Sequence, residues 1–237
     1  MRRFFKVSGF FVLALVVLGA LPAYTIFGEL RKAASDDPNV YEEDIAALVS
    51  NSNGATGRVV FVGSSSIRYW STLEQDMQPL RVLRHGFGGA KLADIEYYAK
   101  RLVGDFDPRA VVVFAGTNDI HPRSSRSPAE LLEVYQAFVE RVRAGSENVP
   151  IYYIGITPTR LRWAVWPVVQ QTNALIRNYC ESNSGLFYIE TGPALLGTDG
   201  TPDSKNYRFD GLHLSDAGYA IWTRIIRSRL IADLGEK

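Results

Sequence analysis

The sequence is poor in the residues that build disulfide and metal frameworks. Cys180 is the single cysteine in 237 residues, which excludes an internal disulfide network and any multi-cysteine metal site. It falls in the helical pattern ALIRNYCES, where a small buried thiol is expected. Histidine is almost as scarce. With only His85, His121 and His213 present, any histidine that moves a proton is one of three. There is no excess of either charge sign, since 26 Lys+Arg face 25 Asp+Glu for a net +1. That balance, and the lack of a dense basic stripe, argues against a nucleic-acid partner. No internal repeat is visible, no GxGxxG opens a helix and no GxxxxGK[ST] occurs, so a phosphate- or nucleotide-binding reading has no support.

A further absence is local. From Val7 to Gly28 there is no charged residue over 22 positions, directly after Arg2, Arg3 and Lys6. As a helix this run reaches roughly 33 Å, against a hydrocarbon core of about 30 Å. Residues 1–28 are therefore expected to be a retained transmembrane signal anchor, with a cleaved signal peptide as the alternative. The cleavage signature is poorly formed, since Leu21 and Pro22 precede Ala23. The basic flank predicts a cytoplasmic N-terminus and an exported remainder, on the extracytoplasmic or periplasmic side. Residues 29–37 then form a polar linker, and residues 38–237 a single domain.

The chain as a whole is 46% hydrophobic, enough for this domain to bury a sizeable core. Asp37 followed by Pro38 and acids marks a helix start. Five short apolar, β-branched runs are expected as strands, at 58–63, 80–86, 110–116, 150–156 and 186–190. Helical patterns lie near 92–104, 128–145, 165–183 and 215–233. In the last, Tyr219, Trp222, Ile226 and Leu230 form one apolar stripe. Strands apolar on both faces, alternating with helices, predict an α/β doubly wound parallel sheet in a three-layer αβα sandwich. Functional residues in such a sheet gather at the C-terminal strand ends. Here those ends carry Ser64-Ser65-Ser66, Gly86-Phe87-Gly88-Gly89, Gly116-Thr117-Asn118-Asp119, and Thr157 with Arg160 and Trp163.

A serine triplet after a strand is equally consistent with helix capping. A serine nucleophile needs a base, an acid to orient it, and donors for the developing oxyanion. Asp210 and His213, three residues apart before a helix capped by Ser215, have the spacing for an acid–imidazole pair. An isolated pattern of this kind is also met in plain helix starts. Gly89 allows close backbone approach and Asn118 offers a side-chain amide, though a glycine turn and an Asx turn explain each as well. His85 lies in a strand end without a nearby acid, and His121 precedes a proline in a polar loop. Trp70, Trp163 and Trp166 are read as core ahead of a substrate-lining wall.

Taken together and in order, the Gly-x-Ser at a strand end, the glycine-rich second block, Gly-x-Asn-Asp and the late Asp-x-x-His resemble the SGNH (GDSL-type) hydrolase family over residues 40–233. The resemblance implies a flavodoxin-like fold with strand order 2-1-3-4-5 and an esterase or lipase activity without metal or organic cofactor. It puts the nucleophile on Ser65, the base on His213 and the orienting acid on Asp210. The oxyanion donors fall on the Ser65 and Gly89 amides and the Asn118 side chain. Strand alternation is expected to turn Ser64 and Ser66 away from the side that Ser65 faces. The chain departs from the family pattern at Ser64, where Asp is usual, and at Arg84, where Asn is frequent. The implied substrate is a carboxylic ester: a lipid, an acylated glycan or a small acyl ester. An acyltransferase using the same residues and an idle membrane-tethered binding module are the alternatives.

Overall fold

A computed structural model describes residues 28–29, 31–52, 54–122 and 124–235. The expected transmembrane helix therefore lies outside the described residues, apart from Gly28. Among the described residues no helix is long and apolar enough to cross a membrane.

The five expected strands all form. They are β1 (Val59–Gly63), β2 (Val82–Gly86), β3 (Ala110–Phe114), β4 (Ile151–Ile154) and β5 (Leu186–Ile189). All pair in parallel, in the order β2-β1-β3-β4-β5. Alternate side chains feed two separate cores, as a pleated strand requires. Val60, Val62, Val111, Val113, Ile151 and Tyr153 pack into one. Val59, Phe61, Val112, Phe114, Tyr152 and Ile154 pack into the other.

The helices are α1 (Glu42–Asn51), the short α2 (Ser65–Arg68) and α3 (Leu73–Asp76), α4 (Leu92–Tyr97), α5 (Ala99–Leu102), α6 (Pro128–Arg143), α7 (Trp166–Glu181) and α8 (Asp216–Leu234). Helices α1 and α4–α7 cover the first core; α8 covers the second with its buried stripe Tyr219, Trp222, Ile226 and Leu230. Ser215 caps α8 by accepting from the Gly218 amide at 3.3 Å. Two expected helices are subdivided. The start at Asp37 opens a 3-10 turn, Pro38–Tyr41, before α1. The segment expected at 92–104 breaks at Tyr98 into α4 and α5 and ends in a 3-10 turn, Gly104–Phe106. Tyr98 there turns its hydroxyl to the Pro38 carbonyl at 3.1 Å, tying this corner to the chain before α1.

Residues 28–29 and 31–37 make specific contacts with the body. Residues 28–29 and 31–33 are helical. Glu29 accepts from Arg68 at 2.7 Å and from Tyr69 at 2.9 Å. Lys91 reaches the Ser35 carbonyl at 2.9 Å and Asp36 at 2.7 Å. The sheet order reverses between β1 and β3, and their C-terminal ends open the crevice where such sheets hold ligands.

Candidate active site

Strand β1 ends at Gly63, where a Cβ would lie 2.3 Å from the Phe114 carbonyl oxygen of β3. Only glycine lets the two strand ends close to this spacing. The chain then turns at once into α2, and Ser65 occupies its first position, largely buried. Two long-range bonds hold that turn. The Ser64 amide donates to the Phe114 carbonyl at 3.1 Å, and the Tyr219 hydroxyl of α8 donates to the Ser66 carbonyl at 2.8 Å.

Opposite Ser65 stands the loop before α8. Asp210 accepts from the Leu212 and His213 amides at 2.9 and 3.0 Å through Oδ1, which folds the loop around its own carboxylate. Its Oδ2 meets His213 Nδ1 at 2.7 Å, and His213 Nε2 lies 2.9 Å from Ser65 Oγ. Residues 148 apart in sequence thus form one continuous hydrogen-bonded line. Burial alone pushes the Asp210 carboxyl up. Hydrogen bonds from the His213 ring and from the Leu212 and His213 amides outweigh it and hold the group below the usual carboxylate range. A negative Asp210 keeps a proton on Nδ1, which leaves Nε2 with a lone pair towards Ser65. The Tyr69 ring packs edge-on against the imidazole with centroids 4.9 Å apart.

Asn118, beyond β3, is fixed at both ends of its amide. Nδ2 donates to the Ala90 carbonyl at 3.0 Å, and Oδ1 accepts from Arg162 at 3.1 Å. Arg162 also donates to the Thr117 carbonyl. Burial lowers the Arg162 pKa to about 10, with the Asp119 carboxylate opposing that shift. One Nδ2 hydrogen of Asn118 remains for a ligand. The bond to Ala90 ties Asn118 to the glycine loop, where Gly89 takes φ +79°. A Cβ on Gly89 would be 2.7 Å from the Glu29 carbonyl oxygen. Within the described residues no protein acceptor takes the Ser65 or Gly89 amide hydrogen.

Ser64, Ser65, Ser66, Thr117, Asn118, Thr157, Thr159, Leu212 and His213 line a small cleft open to solvent. Ser64 and Ser66 border the same space as Ser65, while Ser65 is the one of the three whose hydroxyl meets His213. The pleat's alternation stops at Gly63, and on the helical turn that follows, neighbouring residues splay by about 100° rather than 180°. Ser64 makes no side-chain capping bond either. Of the other histidines, His85 is fully buried between the Leu102 carbonyl at 2.6 Å and Ser52 Oγ at 2.9 Å. His121 sits in a short antiparallel ladder with Ser124. Trp70 is core, against Tyr219 and Trp222. Trp163 and Trp166 are only half-buried and stack on each other at 5.8 Å. Among the described residues no group of three or more His, Cys, Asp or Glu side chains could hold a metal ion.

The sequence carries a match to the model of the GDSL-like lipase/acylhydrolase family over residues 50–221. The chain belongs to that family. Solved members and relatives agree in fold. A GDSL-like lipase from Bacteroides thetaiotaomicron superposes with TM-score 0.67 at 20% identity, covering 84% of this chain and 98% of that one. A carbohydrate esterase family 3 protein from Talaromyces cellulolyticus gives 0.61 at 17% identity, over 77% of this chain and all of that one. The lipase/acylhydrolase from Enterococcus faecalis gives 0.60 at 17%, over 77% and 99%. No curated protein matches this chain. As a GDSL-type hydrolase fold, the chain adds Arg162 to what its motifs suggested. Its signal in the sequence was its place after the fourth strand, in the Arg-Trp step of ITPTRLRWAVWP, a segment similar to one in the family to which no role was assigned.

Proposed function

We propose that this chain is a serine esterase that cleaves carboxylic esters through an acyl-enzyme at Ser65. The observation that carries this reading is the Ser65–His213–Asp210 line, with links of 2.9 and 2.7 Å. In the reaction so assigned, Ser65 Oγ attacks the ester carbonyl while its proton passes to His213 Nε2. Asp210 stabilises the imidazolium without taking the proton. The carbonyl π pair becomes an oxyanion, received by the Ser65 and Gly89 amides and the free Asn118 hydrogen. As the tetrahedral centre collapses, the C–O bond breaks and the alkoxide leaves with the proton from Nε2. Water then attacks the acyl-Ser65, its proton going to Nε2, and collapse releases the acid and restores the Ser65 hydroxyl.

The cavity supports short acyl groups. Six of its lining residues are serines or threonines and a single one, Leu212, is aliphatic, so an acetyl group fits the space better than a fatty chain. The chain is further proposed to be held at a membrane by residues 1–28, on the strength of their uncharged run and basic flank. A panel of p-nitrophenyl esters of increasing acyl length tests the assignment. Acetate and propionate should be hydrolysed fastest, and Ser65→Ala should abolish turnover of every member. Full turnover by Ser65→Ala would remove the proposal.

A further inference from the structure

The two most exposed large apolar side chains among the described residues are Phe209, at 96%, and Leu161, at 60%. Both stand in loops that contribute to the cavity: Leu161 follows the lining residues Thr157 and Thr159, and Phe209 precedes Leu212 and His213. Phe209 immediately precedes Asp210, and the Leu161 amide donates to the Gly211 carbonyl at 2.9 Å, which joins the two loops. Exposed Arg160 and Arg208 flank them. Nothing in the fold is gained by leaving a phenylalanine wholly in water beside a reactive centre, and such patches mark surfaces that meet a partner.

The end of the uncharged run lies on this same face. Glu29, one residue past it, takes the Tyr69 hydroxyl at 2.9 Å. The Tyr69 ring lies 4.9 Å from the His213 ring and 5.1 Å from the Arg208 guanidinium carbon. The 22 uncharged residues before Glu29 thus end within two side-chain contacts of His213, with no free linker between. Glu29 is already paired with Arg68 at 2.7 Å, so the neighbouring Arg160 and Arg208 leave the rim basic.

We infer that the face bearing Phe209 and Leu161 seats on a lipid surface, so that the catalytic mouth opens towards the bilayer. The inference rests on the esterase reading and on residues 1–28 anchoring the chain. Phe209 and Leu161 enter the interface, and Arg160 and Arg208 meet lipid phosphates, the combination that suits an apolar tip with a cationic collar. The substrate is then an ester displayed at headgroup level, its short acyl group reaching Ser65 while the rest stays at the interface.

The test uses the full chain reconstituted in vesicles of phosphatidylcholine and phosphatidylglycerol. Phe209→Cys is labelled with an environment-sensitive fluorophore, the buried Cys180 being shielded from the reagent. Asn148→Cys, exposed before the N-terminal end of β4 and so at the opposite end of the strands from the site, is the control. The label at 209 should shift to the blue and be quenched by lipids spin-labelled near the headgroup; the label at 148 should do neither. A label at 209 that stays unquenched while the protein floats with the vesicles overturns the orientation. Protein that fails to float overturns it too, by removing the anchor. In a second arm, Leu161→Ser with Phe209→Ser should lower the rate on a vesicle-borne ester by about fivefold or more relative to a soluble ester. An unchanged ratio counts against the inference. Fluorophosphonate labelling of Ser65 in each variant separates these outcomes from failure of the esterase reading, because it needs the nucleophile but no membrane.

Discussion

Arg162 shows how much of the site depends on one side chain outside the four motifs. Asn118 can aim a hydrogen at an oxyanion only if its amide is held in one orientation, and the Ala90 carbonyl and Arg162 guanidinium impose it from either end. Loss of the Asn118 donor should reduce kcat by about 10²–10³. Arg162→Met should cost about tenfold in kcat with KM little changed, since it disturbs a donor used chiefly in the transition state. Arg162→Lys should recover part of that loss. In an Asn118→Ala background the Arg162→Met effect should vanish; a full further tenfold loss there would mean that Arg162 acts elsewhere. Asp210→Asn should lower kcat by about 10³–10⁴ by releasing the imidazole tautomer, measured on the same soluble ester. Asp210 with His213 was legible in the sequence because their contact spans three residues and is closed by local amides. Arg162 with Asn118 was not, because 44 residues separate them and only the packing of two strand ends brings them together.

At the scale of elements, the β1–α2 turn decides which serine faces His213. Strand and helix obey different periods, so the reach of each serine depends on the residue at which one gives way to the other. That residue is Gly63, and the sequence pattern locates the strand without marking its last pleat. The turn is braced by α8, whose apolar stripe was plain from spacings of three and four. Tyr219 in that stripe also spends its hydroxyl on the Ser66 carbonyl at 2.8 Å. Tyr219→Phe should cost about 1–2 kcal/mol in a urea unfolding series, and it should lower kcat more than a buried hydroxyl elsewhere does. Ser215→Ala, which removes the α8 cap, should cost about 1 kcal/mol with activity kept at temperatures where the protein is folded. The break at Tyr98 had no local signal, since its hydroxyl answers to Pro38, sixty residues earlier.

At the scale of the whole molecule, the sheet layout followed from alternating apolar runs and helical stripes, because in a doubly wound fold each strand is buried on both faces. The docking of Glu29 and Ala33 onto the glycine loop did not follow, since the polar composition of this segment describes a linker and a surface strap equally well. One buried charge should also mark the stability of the entire fold. Asp119 is enclosed, with Oδ1 lacking a hydrogen bond and Oδ2 accepting the Leu92 amide at 3.0 Å. Burial pushes its pKa up to about 6, against about 3.9 in an unfolded chain. The native state therefore holds this proton more tightly, and its contribution to stability falls as pH rises through the window from about 4 to about 6. The slope reaches at most about 1.4 kcal/mol per pH unit. The difference between wild type and Asp119→Asn in thermal unfolding should narrow or reverse towards pH 4 and level off above pH 6; a pH-independent difference would contradict it.

In the proposed reaction Ser65, alone of its triplet, is made nucleophilic by His213. Its most direct test is a fluorophosphonate adduct mapped by peptide mass spectrometry on the wild type, Ser65→Ala and His213→Ala. A single adduct is expected on Ser65, absent from Ser65→Ala and strongly slowed in His213→Ala. An adduct on Ser64 or Ser66 in the wild type, or undiminished labelling without His213, would contradict it.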